Sequence, residues 1–201
     1  MLRYRSVMGR TLNGIFCLAS TMLASACLKP EPMAMDRDAS CSLVLAHIVG
    51  RVGKIKSVSG VEDPEIAVQF SNFGIPTREE LAEFSNTPPS YADSETLPLI
   101  RQSVLLRDID PLKECENVGS WLARTGLITD QNQILEITRE EKWSATVISV
   151  AMPAFDANSG RGLIYASEDA GSMAGVSGIF LYRLETDESW TAVDEKALSV
   201  S

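Results

Sequence analysis

The sequence predicts an α+β domain, with N-terminal helices followed by a C-terminal four-stranded antiparallel β-meander. Three observations carry that prediction. Within about residues 41 to 143, stretches such as Cys41–Ile55 and Leu112–Leu122 place apolar residues at intervals of three and four, the period of a helix face. From about 144 to 201 they gather instead into short β-branched and aromatic runs. The spacers between those runs are short and rich in turn formers, which favours antiparallel neighbours.

The elements follow in order. Cys41, Val44, Leu45, Ile48, Val49, Val52 and Ile55 share one face of a helix, although Gly50, Gly53 and the β-branched residues leave a strand reading open. In "IPTREELAEF", Thr77 and Glu80 have capping-box spacing, which predicts a short helix over 78–84 with Leu81 and Phe84 inward. "SNTPPSYADSETLP" is a loop by composition. Asp110-Pro111 opens the next helix, with Leu112, Cys115, Val118, Trp121 and Leu122 on one face and Gly126 as its stop. Thr138 and Glu141 repeat the capping-box spacing before Trp143, predicting one more helical turn. The meander strands are "ATVISVAM", "GLIYAS", "GIFLYRL" and "WTAV" with "ALSV". In the third, Phe180, Tyr182 and Leu184 share one face while Ile179, Leu181 and Arg183 share the other, and both faces are largely apolar.

Ahead of the domain, Arg3, Arg5 and Arg10 form a positive region, "GIFCLASTML" a short apolar core, and small residues follow. That is the pattern of an export signal over 1–26, from Met1 or from Met8. The apolar run is far shorter than the roughly 20 residues of a spanning helix. "LASAC", Leu23 to Cys27, resembles the lipobox of bacterial lipoproteins, in which the cysteine is diacylated and becomes the new N-terminus. Those proteins usually carry Leu three positions before the cysteine, where this chain has Ala24. Ala24 and Ala26 also suit ordinary signal peptidase, which would leave a soluble exported protein. Lipidation of Cys27 is the reading adopted. Residues 27–40, including "LKPEPMAMDRDAS", are then a lipidated tether. With Leu28 after the cysteine, the resemblance implies the outer membrane, facing the periplasm.

Cysteine arithmetic supports that choice. Loss of the signal discards Cys17 and leaves Cys27, Cys41 and Cys115, an odd number in an oxidising compartment. If Cys27 carries lipid, one pair remains, Cys41 with Cys115; two buried free thiols are the alternative. Removal of residues 1–26 also takes three arginines and no acids, so the formal charge moves from −9 to −12 over 175 residues. Nucleic acid and anionic headgroups are disfavoured partners. The expected partners are the membrane, through the lipid anchor, and another envelope protein.

No motif assigns a catalytic residue, a cofactor-binding residue or a metal site. His47 is the single histidine, and no Ser or Cys motif ties it to a nucleophile. "GSMAGVSG", Gly171 to Gly178, lacks G-x-S-x-G spacing at Ser172 and Ser177, so a flexible inter-strand loop over 170–178 is expected. Asp36 with Asp38, and Asp108 with Asp110, give D-x-D without the glycine and distal glutamate of a calcium loop.

The run from Trp143 to Ser201 resembles the C-terminal part of a loose group of exported bacterial proteins of unknown function. Pro153, Phe155, Tyr165, Gly171, Gly175, Trp190 and Ser201 carry the resemblance. Some members have cysteines in the glycine-rich connection, where this chain has Ala170 and Ala174. The group implies a fold and no activity. The expected function is non-catalytic: a cell-envelope lipoprotein with a binding or scaffolding role at the membrane surface. One alternative is a ligand-binding or enzymatic domain resembling the nuclear-transport-factor-like cone fold, with a pocket near Tyr165 or Tyr182. Another is an immunity or inhibitor protein for a basic enzyme, drawn from the net charge alone.

Overall fold

The computed structural model describes residues 36–84, 86–139, 143–171 and 174–200. The export signal, Cys27 and most of the expected tether lie outside them. Helix α1 (Arg37–Val58) begins where Asp36 accepts a hydrogen bond from the Ala39 amide at 3.0 Å. The last residues assigned to the tether, Arg37–Ser40, therefore belong to the helix. Leu43, Val44, Ile48, Val52 and Ile55 are buried along it. Gly50 and Gly53 fall on its exposed side, where a missing side chain costs no packing, and Val49 points outward with them.

Strand β1 (Ile66–Phe70) comes next, inside the half expected to be wholly helical. Helix α2 (Arg78–Glu83) carries the full Thr77–Glu80 capping box. Helix α3 (Leu97–Leu105) follows the loop and was not legible from the sequence pattern. The helix expected from Pro111 to Gly126 is two, α4 (Pro111–Glu114) and α5 (Glu116–Thr125). They break at Cys115, whose extended backbone closes one helix and opens the other. Gly126, at φ +69°, ends α5 in the left-handed region that glycine tolerates best. Helix α6 (Gln131–Ile137) is capped by Asp130, so Thr138 closes a helix instead of starting one; Glu141 lies outside the described residues.

The sheet has six strands, not four, and is partly parallel. Its order is β1-β2-β4-β5-β6, with β3 also paired to β4. Strands β2 (Thr146–Val150), β3 (Ala154–Asp156), β4 (Arg161–Asp169), β5 (Gly175–Leu184) and β6 (Trp190–Val200) pair antiparallel, whereas β1 joins β2 in parallel. Two physical facts account for the difference. The run "IAVQF" reaches its parallel neighbour only through the long crossover of helices α2 to α6. The expected first meander strand, Ala145–Met152, pairs as β2 only to Val150, and beyond Pro153, which has no amide to donate to a ladder, a further strand β3 runs into the expected turn, so β2 and β3 occupy successive parts of the same edge of β4.

Alternation along the strands sends side chains to two faces, and helices cover both. On the first face α1 and α5 pack against Ile66, Val68, Ile148, Val150, Ile164, Phe180 and Tyr182. On the second, α3 covers Leu163, Tyr165 and Ile179, while Ile134 of α6 covers Ala67 and Val147. The segment after β1 lies across this second face. Ser71 donates its amide to Val150, and Gly74 sits against Tyr165 and Leu198. Among the described residues, no helix is long and apolar enough to cross a membrane.

Candidate functional site

A buried set of interacting polar side chains lies between α1 and the sheet. His47 Nδ1 and the Tyr182 hydroxyl share a hydrogen bond at 2.8 Å, with His47 only 1% exposed. The Phe180 ring meets the imidazole edge-on at 4.8 Å between centroids. One helical turn on from His47, Arg51 lies 5.3 Å over the Phe180 ring, pairs with Glu168 of β4, and stands 3.8 Å from Glu195 of β6. Helical spacing puts His47 and Arg51 on one face of α1, and strand alternation puts Phe180 and Tyr182 on successive positions of the neighbouring ladder.

Electrostatics fixes what this cluster can do. Burial, reinforced by the Arg51 charge, lowers the His47 pKa to about 3. Burial raises the Tyr182 hydroxyl to about 12. Both groups are therefore neutral near pH 7 and closed off from solvent. They form a polar fastening between helix and sheet, not a proton-transfer pair facing a substrate. Trp190 extends the fastening: its Nε1 donates to Ser42 on α1 at 2.9 Å, and its ring meets Phe155 edge-on at 5.4 Å.

Cys41 and Cys115 come together at disulfide distance, with Cα atoms 5.3 Å apart, joining α1 to the α4–α5 break. Cys27 lies outside the described residues. Asp36 and Asp110 are helix caps, Asp110 accepting from Leu112 at 2.9 Å. The connection expected over 170–178 is shorter than that, because β4 runs to Asp169 and β5 starts at Gly175. The Ala170 amide donates to Ala174 across it at 2.8 Å. Beside it an apolar groove of about 490 Å³ is lined by Ile55, Val58, Ala174 and Val176.

A polar row that the sequence pattern does not reveal crosses the second face. Gln69, Ser149, Ser167, Ser177 and Ser199 stand directly opposite one another across five strands. Gln69 donates to Ser149 at 3.0 Å, and the Ser177 and Ser199 hydroxyls meet at 2.7 Å. Ser149, Ser167 and Ser199 fall in expected strands and Ser177 in the expected loop, but their alignment depends on register, which alternation alone does not supply. Next to the row, Tyr165 is buried with its hydroxyl unpartnered among the described residues, and burial raises its pKa.

These features define a class: an α+β domain with a mixed sheet covered by helices on both faces and a cystine-type clasp at its N-terminal helix. Comparison with family models, with curated proteins and with solved structures finds no match for the chain.

Proposed function

We propose that the protein is a lipid-anchored envelope protein with a non-catalytic binding or scaffolding role. Cys27 carries the acyl chains, and the domain stands on the periplasmic side of the outer membrane. The observation that carries this reading is the approach of Cys41 to Cys115. With those two committed to each other, Cys27 is the odd cysteine of the processed chain, and acylation accounts for it. The neutral, enclosed state of His47 and Tyr182 supports a role without acid–base chemistry. Helices on both sides of the sheet favour this reading over an open cone enclosing a catalytic pocket.

Cell fractionation of Cys27→Ala tests the anchor, since the variant should move from membranes to the soluble periplasmic fraction. Retention in the membrane would refute it. Intact mass sharpens the result: acylation at Cys27 and two thiols released only by reduction are expected together.

A further inference from the structure

Beside the outer edge of β1 lies a crevice of about 500 Å³, within the usual range for small-ligand sites. Gln69 and Phe70 line it from the strand, Asp110 and Lys113 from the start of α4, Gly119 from α5 and Gln131 from α6. On this side β1 has a single bridge, between Ala67 and Ile128. Val68 donates its amide to Ile128 at 2.8 Å, and Ile128 donates to Ile66 at 3.1 Å. Main-chain groups of alternate residues point to the same side of a strand, so Phe70 turns its N–H and C=O the same way as Val68 does. Beyond the isolated bridge no strand among the described residues pairs with that edge. An open strand edge of this kind accepts the amides of an extended peptide.

The side chains agree with that chemistry. Gln69 gives its Nε2 to Ser149, which leaves its carbonyl oxygen to accept. Lys113 pairs with Asp110 at 3.0 Å, but Lys113 is 82% exposed. With its ammonium in water, Lys113 can turn to a ligand carboxylate without being buried unpaired, while Asp110, 19% exposed, keeps its cap bond from Leu112. Gly119 supplies an independent argument. A glycine inside a helix is less favourable than alanine, because it gives up more backbone freedom. Here a Cβ would meet only the Leu112 carbonyl oxygen, at an ordinary 3.7 Å, so crowding does not require the glycine. Its bare Cα keeps the crevice deep.

We infer that this crevice binds a short peptide, extended along β1 with its free carboxylate at Lys113. The inference goes beyond the anchor and does not depend on it: release of the protein by Cys27→Ala leaves the crevice intact, so the two proposals fail separately.

The test is an NMR titration of the full chain with L-alanyl-L-leucine and, in parallel, with the same dipeptide as its C-terminal amide. The free dipeptide should give saturable shifts at Phe70, Lys113 and Gly119 and bind about tenfold more tightly than the amide. Gly119→Leu fills the crevice and should abolish those shifts with an unchanged or higher melting temperature. Lys113→Gln, on an exposed side chain, should weaken the dipeptide about tenfold and leave the amide unaffected; if Gly119→Leu unfolds, this comparison decides. Absence of saturable shifts, shifts that survive Gly119→Leu in a folded protein, or equal weakening of dipeptide and amide by Lys113→Gln would overturn the inference.

Discussion

The two faces of the sheet are closed by different means. On the first, the long helix α1 lies close over the strands beside α5, and several of its polar side chains are matched across the contact: His47 to Tyr182, Arg51 to Glu168, Ser42 to Trp190. On the second, a crossing segment, a short helix and a loop share the cover, and the Tyr165 hydroxyl and Gln102 Nε2 have no partner among the described residues, as Ser40 Oγ on α1 has none on the first. A single rigid element can match polar groups because each has one possible position against the sheet. A cover assembled from several short pieces excludes water without matching every group. The two faces therefore differ in how polar groups are held: across a helix–sheet contact on the first, and largely along the sheet itself on the second.

The largest expected effect breaks the first face at its end. If Cys41 and Cys115 are bonded, they close a loop of sequence separation 74, and the chain-entropy model assigns that crosslink about 4 kcal/mol. Cys41→Ala with Cys115→Ala should lower the denaturant midpoint accordingly, with little change in slope. An unchanged midpoint would mean that the pair is reduced in the native protein.

Acid attacks the same face through His47. Its folded pKa, about 3, lies below the ordinary value of 6.5, so between those pH values the unfolded chain binds the extra proton. Stability contributed by the neutral imidazole is complete above about pH 6.5 and is lost progressively as pH falls toward 3, by at most about 1.4 kcal/mol per unit. Because His47 is the single histidine, the slope between pH 6.5 and 5 reports it with little interference from carboxylates. A His47→Gln variant should flatten that part of the profile.

Gly162 sharpens the contrast by steric means. A Cβ there would stand 2.3 Å from the Leu43 side chain on α1 and 3.2 Å from the Trp190 ring. Gly162→Ala should cost about 1–3 kcal/mol by overpacking, read as a drop in thermal midpoint. A side chain added on the exposed face of α1, as in Gly50→Ala, meets nothing within 4 Å and should stabilise by up to about 1 kcal/mol.

What was legible in the sequence follows the same division. Helix α1 and both strand faces at Phe180 and Ile179 were readable because a long amphipathic repeat and a strict alternation each repeat their signal many times. Thr77 and Asp110 were readable as caps because capping is local chemistry. Strand β1 was missed because five residues between turn formers carry too few periods, and its partner β2 lies far along the chain. The break at Cys115 was missed because the apolar stripe continues through it and only the backbone departs from the helix. Of the candidate site, the Cys41–Cys115 approach could be reached by counting, whereas the His47–Tyr182 contact joins residues 135 apart in sequence and is set by packing alone.

The most discriminating comparison makes one chemical change on each face. Tyr182→Phe removes the hydroxyl that meets His47 and leaves a buried ring nitrogen unsatisfied, so it should cost about 1–3 kcal/mol. Tyr165→Phe removes a buried hydroxyl that has no partner, so a desolvation penalty disappears and no hydrogen bond is lost. Its stability should be unchanged or slightly higher. Chemical denaturation of the two variants side by side measures the asymmetry directly. Equal losses would show that the Tyr165 hydroxyl is satisfied in solution by ordered water, and that polar matching extends across both faces after all.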